Sequence, residues 1–146
     1  MARNNVNFSE VEKLRDNLQR QLSDEQIDQF MESCAKELTA RLLAKVKRRT
    51  PVGQYKDRVG GTLRRGWDVN TKQGIKVHHF DDVYVVEVIN PVEYASYVEF
   101  GHRTRDHKGW VKGRFMLTIS EEELKRDAPN VLEKKLKKML EGCFKK

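Results

Sequence analysis

The chain has 146 residues, 38% of them apolar and 35% charged, with a formal net charge of +7. That length suits one ordinary domain with a lean core, and no apolar run approaches the roughly 20 residues that span a bilayer, which excludes a membrane partner of that kind. The basic balance admits an acidic neighbour such as nucleic acid or an acidic protein face, or lysine-rich helix surfaces that only keep the chain soluble.

Residues 1–7 are polar and expected to be loose, with no hydrophobic signal segment. Ser9 followed by Glu12 makes a capping-box pattern. Phe8, Val11, Leu14, Leu18 and Leu22 then recur at spacings of three and four, one face of a helix. Ser23 and Gln26 repeat the box ahead of a longer helix with the stripe Ile27, Phe30, Met31, Cys34, Leu38, Leu42 and Val46. It closes in the cations Lys45, Lys47, Arg48 and Arg49, which suit the negative end of a helix dipole, and Thr50-Pro51 stops it. PVGQYKDRVGG over 51–61 reads as a long loop. The period then changes. TLRRGWDV, IKVHHF and VYVVEVI are rich in β-branched and aromatic residues and are divided by turn signals at 70–74 and at Asp81-Asp82. They predict a three-stranded antiparallel meander whose last, most apolar strand is the most buried.

NPVEYASYVEFG over 90–101 follows directly. Asn90 suits an N-cap, Pro91 the first helical position and Glu93 the third, while Gly101 suits the terminator. At 100° per residue Tyr94, Ala95, Tyr97 and Val98 share one face, expected to pack on the sheet. Glu93, Ser96 and Glu99 lie on or near the other. HRTRDHKGWVKGR over 102–114 is polar, basic and glycine-spaced, and reads as a second long loop, mobile in the free subunit. FMLTI reads equally as a strand or a helix start. Ser120 and Glu123 form another capping pattern, Asp127-Ala128-Pro129 predicts a break, and Leu132, Leu136, Met139, Leu140 and Cys143 mark a last helix. The fold class is therefore α+β. A small antiparallel sheet of about three to four strands packs against a long N-terminal helix, a short helix after the last strand, and C-terminal helices, in one domain over 1–146.

Chemistry is sparse. Cys34 and Cys143 form no CxxC pair and no disulfide framework, which fits reduced thiols and synthesis in a cytoplasm. His78 and His79 alternate on a strand and cannot both ligate one ion from a regular ladder. His102, His107 and Asp106 lack metal-site spacing. No hydrolase, NTPase or dinucleotide motif occurs, so neither a cofactor nor a catalytic constellation is expected. Arg64, Arg65, Trp67, Arg103, Arg105, Lys108, Trp110 and Arg114 interleave cations with aromatics, a pattern that serves nonspecific phosphate contact or a protein interface. The alternative to an assembly protein is a monomeric basic α/β nucleic-acid-binding or RNA-cleaving protein, with Arg64, Arg65, His78, His79 and Tyr97 around a sheet.

The motifs RTPVG, GGTLRRGWDV, VEVINPVEYASYVEFGHRT and GRFML resemble the head–tail joining and tail-completion proteins of tailed phages, found in siphophages, myophages and defective prophage or phage-tail-like particles. YASYVEFG is the specific element. Two departures from the pattern are the inserted QYKDRVGG after Gly53 and Gly113 where proline is usual. The resemblance implies a non-enzymatic structural protein, made in a bacterial host cytoplasm and resident in the particle. Its copies would form a ring, a hexamer, at the neck or head-proximal end of the tail, in contact with tail-tube and neck or connector proteins. It implies subunit contacts at Arg64, Arg65, Trp67, Glu93, Tyr97, Glu99, Phe100, Arg103, Arg105 and Trp110. DNA passing through the ring would meet Arg58, Arg64, Arg103, Arg105, Lys108 and Lys112 without sequence preference.

Overall fold

The computed structural model describes residues 9–81 and 83–144. The loose segment expected over 1–7, together with Phe8, Asp82, Lys145 and Lys146, lies outside the described residues. Two helices joined by a capping box open the described chain, and the second packs against the last helix. Helix α1 covers Ser9–Gln21, and α2 covers Asp24–Arg49. The capping box between them is present in full. Ser23 Oγ accepts from the Gln26 amide, and Gln26 Oε1 accepts from the Ser23 amide. After the loop come two short helices, α3 (Thr62–Gly66) and α4 (Val69–Lys72). The hairpin β1 (His78–Phe80) and β2 (Val83–Val85) follows, then α5 (Ala95–Phe100). A second hairpin, β3 (Gly101–Arg103) and β4 (Trp110–Lys112), leads into α6 (Met116–Phe144).

The α+β class holds, but not as a single sheet. Two separate antiparallel hairpins replace the meander. TLRRGWDV is helical, because Leu63 and Trp67 stand four apart and both must reach the core, a spacing that only a helix satisfies on one face. The run expected to be the most buried strand pairs only over Val83–Val85, and Val83, Val85 and Ile89 are exposed. Farther on, the Asn70 side chain takes the place of a neighbouring strand. Its Nδ2 donates to the Ile89 carbonyl at 2.7 Å, and its Oδ1 accepts from the Ile89 amide at 2.9 Å. Val88 and Val92 then turn onto the core.

That core is small. Leu43 and Val46 of α2, Leu63 and Trp67 around α3, and Met116 of α6 are buried together, with Val98 and Ala95 of α5 packed against them. Thr50 sits at its edge, fully buried. It ends α2 by donating Oγ1–H to the Val46 carbonyl. The same Oγ1 accepts the Trp67 indole N–H at 2.9 Å, and the Thr50 carbonyl accepts from the Arg64 guanidinium at 2.8 Å. One residue thus stops a helix and satisfies the polar atom of the largest core side chain.

Helix α6 runs antiparallel to α2. Lys135 near its C-terminal end reaches Glu37 at 2.9 Å, while Glu123 near its start is bonded by Arg49 and by Lys45. It passes through Pro129 without the expected break, so one helix stands where two were expected. Ser120 is no cap. It is buried in the second turn and donates to the Met116 carbonyl. The hydrogen bond from Arg49 holds the Glu123 carboxyl below its ordinary value of 4.5, and the one from Lys135 does the same for Glu37.

Two expectations follow. Thr50→Val keeps the shape but strands the Trp67 N–H in the core, and should cost about 1–3 kcal/mol, read from urea midpoints at constant slope. The interhelix carboxyls have folded pKa values below their unfolded ones. Their contribution is therefore complete above pH 4.5 and is lost as pH falls through the folded values. Thermal melts should show Glu123→Gln less stable than the parent at neutral pH, with the gap closing in acid.

Candidate assembly interface

Residues 94–115 join α5 to the start of α6 through the β3–β4 hairpin, anchored by Glu99. Helix α6 begins without a cap of its own. Its N-cap position is Phe115, which has no side-chain acceptor and sits at φ +48. Glu99 supplies the missing acceptor from α5. It is 6% exposed, and its carboxylate accepts from the amides of Leu117 and Thr118, both at 2.9 Å, and from the Thr118 hydroxyl at 2.7 Å. These are the amides a local Ser or Asp cap would serve, and a negative charge there also meets the positive end of the helix dipole. The main chain reinforces the junction, with Arg114 N–H donating to the Val98 carbonyl and Phe115 N–H to that of Glu99.

This redraws the expected faces of α5: Ala95 and Val98 pack inward as expected, but Glu99 joins them and the tyrosines do not. The helix starts at Ala95, not Pro91, and Asn90 serves as a clamp, accepting from the Val92 amide and donating to the Leu63 carbonyl. Ala95, Val98 and Glu99 turn inward, while Tyr94, Tyr97 and Phe100 are exposed. The tyrosines do not pack the helix onto a sheet, because the sheet expected beneath it is absent. Val98 and Ala95 do that work against α2, α3 and α6.

The segment 102–114 is built around a hairpin, where the sequence reads as a long irregular loop. Gly101 pairs with Lys112, His102 with Val111 and Arg103 with Trp110. The 104–109 turn is closed by the Thr104 amide on the Gly109 carbonyl and by Asp106, which accepts from the Thr104 hydroxyl and the Lys108 amide. Those bonds hold the Asp106 carboxyl below its usual range. At Gly101, φ +86 and the close passage of the Val111 carbonyl and the Trp110 ring leave no room for a side chain. At Gly113 the crowding atoms are main-chain atoms of Glu99, Phe100 and Gly101. The surface this builds carries Tyr97 tilted against His102 at 5.8 Å, Phe100 edge-on to Phe115 at 6.5 Å, and Trp110 at 62% exposure.

The expected interface residues divide accordingly. Tyr97, Phe100, Arg103, Arg105 and Trp110 are all exposed, as are Lys108, Lys112 and Glu93, and the ladder puts Arg103, Trp110 and Lys112 on one side of the hairpin and His102 and Val111, with Tyr97 against His102, on the other. Trp67 and Glu99 are buried in the subunit and are structural. Arg64 and Arg65 lie apart on α3, bonded to Thr50 and to Gly60 and Thr62, and Arg58 stacks over the Tyr55 ring at 4.1 Å. His102 and Val111, on the side of the hairpin that meets Tyr97, were not foreseen, because a hairpin whose turn is six residues long leaves no two-residue turn signal in the sequence. The constellation of the RNA-cleaving alternative is dispersed. His79 stacks on Tyr84, and no hydrogen bond or ring contact among the described residues joins the β1 histidines, the α3 arginines and Tyr97. No group of side chains suited to a metal ion occurs among the described residues, and no helix there is long and apolar enough to cross a membrane.

Residues 12–101 match the model of a family described as "Bacteriophage HK97-gp10, putative tail-component". The matched span holds α2, α3 and α5 and stops at the first residue of β3, so the cationic hairpin and α6 lie beyond it. No curated protein and no solved structure matches the chain.

Replacing Glu99 tests the junction. Glu99→Ala should cost about 2–3 kcal/mol, the worth of hydrogen bonds to a charged acceptor, in urea titrations. Glu99→Gln, which keeps an acceptor but no charge, should fall between that variant and the parent.

Proposed function

The chain belongs to the HK97-gp10-like family of bacteriophage tail components, and from that premise we propose that it is a structural, non-enzymatic subunit of a ring at the neck or head-proximal end of a phage tail, where it joins or terminates the tail tube. The observation that carries this reading is the exposed surface of residues 94–115. A rigid platform of α5, β3 and β4, held by a buried carboxylate, presents Tyr97, Phe100 and Trp110 to solvent. Exposed aromatics beside arginine on a fixed scaffold are the composition of interface hot spots. Trp110 gains nothing from its exposure in an isolated subunit and would be covered in an assembly.

The ring is a hexamer, as its resemblance to tail-completion proteins implies, and the subunit resides in the particle. Its partners are further copies of itself, tail-tube protein and the neck or connector. Arg103, Arg105, Lys108 and Lys112 are exposed with no carboxylate partner among the described residues. Those left outside the subunit contact would line a DNA passage, attracting phosphate without reading sequence. Arg58 and Arg64 contribute less, since one is stacked on Tyr55 and the other spent on Thr50.

Light scattering and negative-stain imaging of the pure protein, alone and with the cognate tail-tube protein, test this. Rings, or caps on tube ends, are expected. A strict monomer at high concentration that also ignores tube ends overturns the reading.

A further inference from the structure

A second unpartnered surface lies farther along the helix pair, over the middle of α6. Between α2, α6 and the β1–β2 hairpin runs an apolar cleft of about 730 Å³. Its floor includes Phe30, Cys34 and Leu38 of α2 and Leu132 and Leu136 of α6, and no described residue fills it. Leu136 and Met31 at its edge are well exposed. The volume is within the range of about 300–1,000 Å³ typical of clefts that seat a compact ligand.

Charge singles out an occupant. The one charged residue lining the cleft is Glu133, and it makes no ion pair among the described residues. The other interhelix carboxylates, Glu37 and Glu123, are both engaged by cations of the same chain. The nearby α6 lysines Lys134, Lys135 and Lys138 border a different cleft with Glu37 and Arg41. The β3–β4 hairpin has the opposite character. Arg103, Arg105, Lys108, Lys112 and Arg114 stand against Asp106 alone over 101–114, and Asp106 is occupied within its own turn. Trp110 lies directly across the ladder from Arg103. An exposed indole flanked by an unpaired guanidinium thus exists on the same molecule as an apolar cleft containing an unpaired carboxylate. The two cannot meet within one subunit. The hairpin enters α6 at Met116 and the cleft lies at Leu132, roughly 24 Å farther along the helix at 1.5 Å per residue.

We propose that the cleft receives the β3–β4 hairpin of the next copy of this chain, with Trp110 buried against Leu132 and Leu136 and Arg103 paired to Glu133. The contact is head-to-tail. Two different surfaces of the subunit join, the hairpin at the start of α6 and the cleft at its middle, and repetition of such a heterologous contact gives a ring when the rotation closes. The proposal rests on the ring reading above and specifies its interface.

The test uses full-length protein and two surface variants, Trp110→Ala and Leu136→Asp, in sedimentation velocity under conditions where the parent assembles, with tail-tube protein present if assembly needs it. Each variant alone should associate more than about tenfold more weakly, the usual consequence of deleting a central aromatic anchor. Circular dichroism verifies that each is folded. Mixed one to one, they retain a single intact interface between them and should stop at a heterodimer. Arg103→Glu should assemble poorly and be rescued by Glu133→Arg in the same chain. Because Trp67 is already buried, a blue shift of tryptophan emission on assembly reports Trp110 alone. Parent rings that form equally well from both variants overturn this interface and leave the ring reading standing. Loss of assembly in Leu136→Asp but not in Trp110→Ala also overturns it, and assigns the cleft to another occupant such as α1 or a second cleft. A parent that never assembles, with or without tube, removes the ring and this contact together.

Discussion

The carboxylate of Glu99 over the first turn of α6 is the contact on which the rest of the outer structure depends. A 29-residue helix starts at Phe115-Met116, where no side chain can serve its free amides. Those amides sit in a part-buried position at the edge of the core, where a bonded acceptor is worth more than water. An acidic residue from another element supplies it, and this requirement places α5 against α6. It also sets the register of β3 and β4, because the chain leaves Glu99 through Gly101 and returns through Gly113 within van der Waals contact of its own main chain. The aromatic face is thus a consequence of a capping problem solved between elements.

Thr50 is the matching junction on the inner side. By ending α2 and accepting the Trp67 indole, it ties the long helix to α3, and Asn90 ties α3 to the segment before α5. Thr50 with Trp67, Asn90 with Leu63, and Glu99 with the start of α6 are each a buried or half-buried polar contact with its partner satisfied. No buried side-chain nitrogen or oxygen among the described residues lacks a hydrogen bond. So small a hydrophobic cluster leaves much of the definition of the fold to these contacts, since an unpaired buried polar atom costs more than a paired one contributes.

That economy shapes function. A subunit with its apolar side chains concentrated in one small cluster has others to spare outside it, and they collect in two places. One is convex and cationic, the other concave with a lone carboxylate. Surfaces of this kind suit a protein whose final burial is completed by neighbours, as proposed above for this phage tail component.

The sequence by itself determined the parts whose signals are local. The capping box at Ser23, the end of α2 at Thr50-Pro51, the amphipathic stripe of α2 and the α+β class follow from spacings within one or two turns, and the YASYVEFG element identified the family. Tertiary structure decided what depended on contacts between distant residues. Leu63 and Trp67 read as strand by composition but are helical because both must reach Val46 and Met116. Glu99 reads as a surface charge, since nothing within four residues of it reveals that a helix beginning at Met116 needs an acceptor. Tyr94 and Tyr97 read as packing residues, yet the sheet they were to cover does not exist and Ala95 and Val98 are the side chains that meet the core. The physical reason is common to all three: burial is assigned by what lies opposite, and in this chain the opposite residue is seldom near in sequence.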